Sequence, residues 1–310
     1  MIVAHLNGGL GNQLFQLAAA LSNASDDVLL ASSIGLPRMT NGLPDIHLLK
    51  LPERVKFDSE LPKRHFLVRL ANFLLRSGLN PRRSSWQEIL EFLLRKIFLL
   101  LSRIHFQCQI FPFVASDVGY VNLPKSRSNL LIGYFQSWRY LSVNNVRTEL
   151  MKIYPVAPSK HFLTMESEIS SLLPIVVHVR LGDYLSEEHF GVPSESFFLE
   201  ALSKILSEKS KPIWIFTNDV VSLSDMFPNL VGVAAEIIGD TDLNSAEVLE
   251  LMRHGSAFVI ANSSFSWWSA SLRYDEAAQV FSPQPWFRGM PEPQDLIPGN
   301  WNRLTVRTYL

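Results

Sequence analysis

Cysteine is almost missing from this 310-residue chain: Cys108 is the only one. No intrachain disulfide can form, and no cysteine-based metal cluster can be built. Near Phe106, Cys108 reads as a small buried hydrophobe. An excess of either charge is also lacking. Lys plus Arg is 28 and Asp plus Glu is 29, for a formal net charge of −1. Non-specific nucleic-acid binding needs clustered positive charge, so no nucleic-acid partner is expected, although a local basic pocket is compatible with this balance. No uncharged apolar run is long enough to cross a bilayer. The nearest, residues 88–103, contains Ile97-Phe98-Leu99-Leu100-Leu101 but is interrupted by Glu91, Arg95 and Lys96, whereas a spanning helix needs about 20 apolar residues. It reads as an amphipathic helix with its apolar face in the core; peripheral contact with a membrane surface is the second reading. Met1 is followed at once by Ile-Val-Ala-His-Leu, without the basic n-region of a secretory signal. A cytoplasmic protein is the expectation. Internal repeats and low-complexity segments are absent as well.

What the chain does have is apolar residues, at 47% against 18% charged. That is enough for a substantial core and for two domains of ordinary size. Short apolar runs at residues 2–6, 28–31 and 130–135 read as strands, with helical composition over 13–23 and 141–153. Residues 37–63 look irregular and 64–106 mainly helical. Pro155 and Pro158, in a polar stretch, mark a boundary, giving domains of 1–155 and 156–310. Beyond it strands at 175–180, 212–217, 230–233, 257–261 and 279–282 alternate with helices at 194–207, 247–254 and 264–272. The fold class is therefore α/β, with parallel, doubly wound sheets flanked by helices.

Four stretches carry chemistry. Val176-Val177-His178-Val179-Arg180-Leu181-Gly182-Asp183-Tyr184 reads as a buried strand that ends by delivering a guanidinium, a carboxylate and a phenol. Ligands bind at that end of open α/β sheets. Arg180 is either a phosphate-binding fork or half of a strand-end ion pair with Asp183. Asn7-Gly8-Gly9-Leu10-Gly11-Asn12-Gln13 is a glycine-rich turn between a strand and a helix, suited to an anion or nucleotide, or simply to tight backbone packing. It lacks the third glycine and the later acidic residue of a dinucleotide fingerprint, which weighs against hydride transfer. Phe216-Thr217-Asn218-Asp219 ends another strand in polar side chains: Asp219 accepts from a nucleobase edge, or Asn218 and Asp219 simply cap the next turn. In Asn262-Ser263-Ser264-Phe265-Ser266-Trp267-Trp268 the hydroxyls sit where a helix begins, a setting that suits a diphosphate, with Phe265 flanking a base or ribose. Trp267 and Trp268 read as core. Asp240-Thr241-Asp242 has the Asp-x-Asp spacing of some metal-dependent transferases, but solvated turn residues are the simpler account.

Taken together and in order, five segments resemble glycosyltransferase family eleven, the α-1,2-fucosyltransferases. They are Gly8-Gly9-Leu10-Gly11-Asn12-Gln13-Leu14-Phe15-Gln16, Gly133-Tyr134-Phe135-Gln136-Ser137, His178-Val179-Arg180-Leu181-Gly182-Asp183-Tyr184, the Asn262 to Trp268 segment, and Pro283 with Trp286-Phe287. The resemblance implies two Rossmann-like domains facing a cleft, the GT-B arrangement, with the nucleotide held by the second and the acceptor by the first. It implies GDP-fucose as donor, inversion at the anomeric carbon, no metal and no other cofactor. The acceptor would be the 2-hydroxyl of a galactose-terminated oligosaccharide or lipid-linked glycan; the alternatives are a transferase using another sugar nucleotide and a non-catalytic carbohydrate-binding relative. A bacterial-type enzyme, cytoplasmic or at the inner membrane face, fits the position of the first motif. Arg180, Asn12 and Asp183 are the expected catalytic residues. Gly11, His178, Arg180, Asp219, Asn262, Ser263, Ser264 and Phe265 are expected to bind the donor. Asp183, Glu187, Glu188 and His189 are the candidates for an acceptor base, and Asp183 could equally orient Arg180. One position departs from the pattern: the family usually has a second arginine where this chain has Leu181. Either the second side chain helps neutralise the diphosphate, so that its loss weakens donor binding or calls for another cation, or it points into the core, as strand alternation after Arg180 suggests, and leucine is harmless there.

Overall fold

The computed structural model describes residues 2–24, 27–32, 39–40, 43–57, 93, 97, 112–114, 119–120 and 129–310, the last span without 188, 209, 240–242 and 294. Cys108, Glu188, Asp240-Thr241-Asp242 and almost all of the helical expectation for 64–106 lie outside the described residues. Leu93 and Ile97 are described, and both are helical and exposed, so that edge of the 88–103 segment does not face a core. Among the described residues, no helix is long and apolar enough to cross a membrane. The chain divides into two compact units, residues 1–47 with 51–153 and residues 48–50 with 154–310.

In the first unit β1 (Ile2–Leu6), β2 (Val28–Ser32), β5 (Val55–Phe57), β6 (Pro112–Val114) and β7 (Asn129–Ile132) form a parallel sheet in the order β5-β2-β1-β7-β6. In chain order, a separate antiparallel pair of two-residue strands, β3 (Met39–Thr40) and β4 (Leu43–Pro44), comes between β2 and β5. The helix α1 (Leu10–Asn23) packs on β1, with every residue from Gln13 to Ser22 buried. The described residues within 37–63 are thus less irregular than their prolines suggest: Val55-Lys56-Phe57 completes an edge of the sheet. The helix expected over 141–153 is broken. Asn144 and Asn145 both adopt positive φ, at 50° and 59°, a conformation that asparagine tolerates better than most residues. They separate a 3-10 turn at Trp138–Ser142 from a short α2 (Val146–Leu150).

The second unit contains α3 (Lys160–Leu172), β8 (Ile175–Val179), α4 (Asp183–Ser186), α5 (Glu195–Leu206), β9 (Ile213–Thr217), α6 (Val220–Met226) and α7 (Pro228–Gly232). These are followed by β10 (Glu236–Ile238), α8 (Ser245–Met252), β11 (Ala257–Ile260), α9 (Ser264–Ser271), β12 (Gln279–Gln284) and β13 (Asn302–Thr305). Its six strands are all parallel, in the order β10-β9-β8-β11-β12-β13. Helices cover both faces, so the central strands are continuous hydrophobic runs rather than alternating ones. Odd-numbered residues of β8 and β11 (Ile175, Val177, Val179, Ala257, Val259) join Phe197, Phe198, Leu202, Leu223 and Leu230 of α5 to α7 in one core. Each such aliphatic side chain contributes about 1.5–3 kcal/mol when fully buried.

Two expectations are corrected here. Residues 230–233 are not a strand: Pro228 opens α7, where its fixed φ suits the first helical turn, and the strand follows at β10. Nor is the strand at 279–282 the last, since β13 adds an outer strand whose Asn302 and Arg303 hide it from a hydrophobicity reading.

Candidate active site

In the first unit, the turn after β1 is built around buried amides. Gln16 donates from Nε2 to the carbonyls of Gly133 (3.0 Å) and Asn7 (3.3 Å) and accepts the Asn7 N–H at 2.9 Å. Gln13 donates to the Gly8 carbonyl at 2.8 Å and accepts the Ile46 N–H at 2.8 Å. Gly8 has φ +75°, and a Cβ there would lie 2.5 Å from Asn12 Nδ2. The glycine is required twice, by its conformation and by its neighbour. The expected residue Asn12 is half-buried, its Oδ1 accepting from Gln136 Nε2 at 2.8 Å, while Gly11 is buried in the first turn of α1. This bond joins the Gly8 to Gln16 segment to the Gly133 to Ser137 segment. Gln13 and Gln16 were not among the expected site residues. The available signal was two amides three positions apart on an otherwise apolar helix, because buried polar groups must find partners.

The second unit concentrates the remaining expected residues at one edge. From β8 the chain builds outward through β9 and β10, then returns to add β11, β12 and β13 on the other side of β8. The order therefore reverses between β8 and β11, and a ligand crevice forms where the carboxyl ends of two such strands diverge. Arg180 leaves β8 there, and Asn262, Ser263 and Ser264 leave β11.

Pleating assigns the side chains. Leu181 continues the odd-numbered face and is fully buried in the core with Val179 and Val192. Arg180 lies on the opposite face with its side chain 15% exposed, and its Nη2 donates to Asp183 Oδ1 at 2.7 Å. Asp183 is more open, at 44%. Beneath the guanidinium, at 5.6 Å, lies the ring of Tyr184, a contact that favours a cation. The Tyr184 hydroxyl donates to the Asn262 carbonyl at 3.3 Å, and its ring stacks against Phe190 (5.1 Å), which in turn meets Phe287 (5.8 Å). Residues from three of the five sequence segments are thus linked through Tyr184 and Phe190.

His178 is buried on the Arg180 face, its ring 6.0 Å from that of Phe265. Burial, and next the positive charge of Arg180, lower its pKa from 6.5 to about 3. It is neutral near pH 7, and its Nδ1 has no hydrogen-bond partner among the described residues. Ser263 caps α9, its hydroxyl accepting from the Phe265 N–H at 3.3 Å, and Ser264 and Phe265 are half-buried at the start of that helix. Helix-start amides and a permanent cation at one strand edge are the elements of an anion site.

Asn262 and Asp219 have structural partners. Asn262 is buried and donates from Nδ2 to the carbonyls of Phe190 (3.0 Å) and Gly191 (2.9 Å), holding the segment after α4. Asp219 caps α6: one carboxylate oxygen accepts from the Ser222 N–H at 3.0 Å and the other from its hydroxyl at 2.6 Å. These bonds hold its carboxyl below the usual range. Glu187 and His189 are exposed. Trp267 and Trp268 are both fully buried, and Trp267 donates from Nε1 to the Leu296 carbonyl at 2.9 Å. They belong to the core.

Known proteins give this geometry a context. The chain is 24% identical to an alpha-1,2-colitosyltransferase of Escherichia coli over 98% of its own length and 99% of that protein's. It is 27% identical to the O-antigen biosynthesis glycosyltransferase WbnK of the same organism over 43% of each chain. Among solved structures, POFUT1 in complex with GDP-fucose aligns over 99% of this chain and 98% of its own, with 14% identity and a TM-score of 0.46. The pattern of glycosyl transferase family 11 matches residues 109–304, a span that takes in the Gly133, His178, Asn262 and Trp286 segments. With well over half of its length matched, including every expected site residue of the second unit, the chain belongs to glycosyl transferase family 11.

Proposed function

We propose that this family 11 glycosyltransferase moves fucose from GDP-fucose, with inversion, to the 2-hydroxyl of a galactose-terminated glycan. The observation that carries the reading is the meeting of Arg180 and the start of α9 at the reversal point between β8 and β11. Transfer from a sugar nucleotide leaves negative charge on the departing diphosphate. A fixed guanidinium, the Ser263 and Ser264 region and the helix amides stabilise that charge without reorganising. The Asp183 hydrogen bond supports a role for this carboxylate in aiming Arg180. As the resemblance to this family implies, no divalent cation is expected to take part, and a chelator is then expected to leave turnover unchanged.

A second reading concerns the donor sugar. The relative matched over nearly its full length is named for colitose, which is fucose without the 3-hydroxyl. A site that hydrogen-bonds that hydroxyl rejects the sugar lacking it by about 10⁴-fold or more, whereas an apolar pocket discriminates weakly. Turnover of GDP-fucose and GDP-colitose with galactose-terminated acceptors separates the two. Thermal stabilisation by nucleotides tests the shared part: GDP at 100 times its Kd adds about 2.7 kcal/mol, and a stronger response to UDP or ADP refutes both. Arg180→Ala is expected to fold normally while kcat/KM falls by roughly 10²–10³. Near-parental turnover in that variant removes Arg180 from the mechanism.

A further inference from the structure

We infer that Asn218, at the end of β9, is a positioning residue that fixes Arg180 by clamping the peptide next to it. The last ladder pair between β8 and β9 is Val179 with Thr217. Beyond it the strands part, as they must if a crevice is to open at their carboxyl ends. At that point a side chain replaces the main-chain ladder. Asn218 Oδ1 accepts the Leu181 N–H at 2.8 Å, and its Nδ2 donates to the Leu181 carbonyl at 3.2 Å. One carboxamide thus satisfies both polar groups of one residue, which no hydroxyl or carboxylate can do in the same way. Arg180 is held on one flank by the ladder and on the other by this clamp.

The following residue shows how tightly the clamp is set. Gly182 has φ +58°, and a Cβ on it would lie 2.6 Å from Asn218 Nδ2. Glycine there lets the turn close against the carboxamide and send Asp183 back to the guanidinium three residues from its partner. The clamp, the glycine and the ion pair form one unit whose output is the direction of Arg180. Asn218 touches no reacting atom in this scheme; it acts through Leu181 and Gly182.

The inference rests on the proposed role of Arg180, and the test separates the two. GDP binding to the full-length chain is measured by calorimetry, with UDP as control, for the parent, Arg180→Ala, Asn218→Ala, Asn218→Asp and the Arg180→Ala/Asn218→Ala double variant, well below each melting temperature. Asn218→Ala is expected to weaken GDP binding about tenfold or more, and to add nothing once Arg180 is gone, because coupled neighbours are non-additive. Asn218→Asp keeps the acceptor for the Leu181 N–H but sets an acceptor against the Leu181 carbonyl, so it is expected to weaken GDP binding as well; it also serves if the alanine variant does not fold. If Arg180→Ala leaves GDP binding intact, the role proposed for Arg180 in holding the diphosphate fails. If Arg180→Ala weakens binding but both folded Asn218 variants match the parent, or their effects simply add to that of Arg180→Ala, Asn218 is structural only and the inference is overturned.

Discussion

Replacing Leu181 tests the division of labour along the β8 exit. Its side chain is fully buried in the core that β8 and β11 share with α5 to α7. Truncation to alanine removes buried methyl groups and leaves a cavity, for an expected loss of about 2–5 kcal/mol. A cooperative unit of roughly 150–250 residues loses about 2–4 °C in Tm per kcal/mol, so the melting temperature should fall by about 4–20 °C. Leu181→Met conserves volume and should cost less than about 1.5 kcal/mol. Leu181→Arg installs the arginine that the family pattern usually carries, but here its charge would enter an apolar core without a partner. Several kcal/mol of destabilisation is then expected, with no gain in GDP affinity. The assays are urea denaturation of each variant and calorimetric titration with GDP. A Leu181→Arg variant that keeps parental stability and binds GDP more tightly would refute the reasoning, because it would show that this side chain reaches the crevice.

Two further outcomes are expected. Gln16→Leu leaves the Asn7 N–H and the Gly133 carbonyl without their partner, at a cost of about 1–3 kcal/mol per buried group; faster amide exchange at Asn7 is the readout, and parental protection there would dismiss the role given to Gln16. His178 titrates at about 3 in the fold against 6.5 ordinarily, so as pH falls the unfolded chain takes up the proton first. Its contribution is complete above about 6.5 and is lost on acidification towards 3, by at most about 1.4 kcal/mol per pH unit. His178→Phe should therefore lose about 2 kcal/mol less than the parent between pH 7 and 5, measured by urea midpoints; equal losses would mean that His178 is protonated in the folded state.

The legible parts of the fold are those whose signal is local. β8, β9 and β11 are buried on both faces, and their runs of Ile, Val, Phe and Trp stand out from any neighbour. The helix α3 did not stand out, because only Phe162 and Ile169 of its thirteen residues are buried. The segment at 230–233 misled because a short apolar run has no periodicity by which to tell helix from strand, and Pro228 was the better guide. In the site, Arg180 was legible as the charge that ends an apolar strand. Gln16 and Asn218 were not, since their partners lie 117 and 37 residues away and no spacing rule reaches that far.

Register explains why one strand exit can serve the core and the crevice at once. Successive side chains on β8 point to opposite faces, so a slip of one residue would bury Arg180 among Phe197, Phe198 and Leu223 and turn Leu181 toward the ligand edge. Val177 and Val179 oppose that slip by their burial, and the Asn218 clamp opposes it where the ladder has already ended. The apolar residues before Arg180 and the amide opposite Leu181 therefore do the same physical work at two ends of a short segment. Loss of either frees the guanidinium to leave Asp183 and the Tyr184 ring. On this view a leucine after Arg180 strengthens the site, because it anchors in the core the very peptide that Asn218 holds, and the cation is fixed by its neighbours on both sides rather than by its own contacts alone.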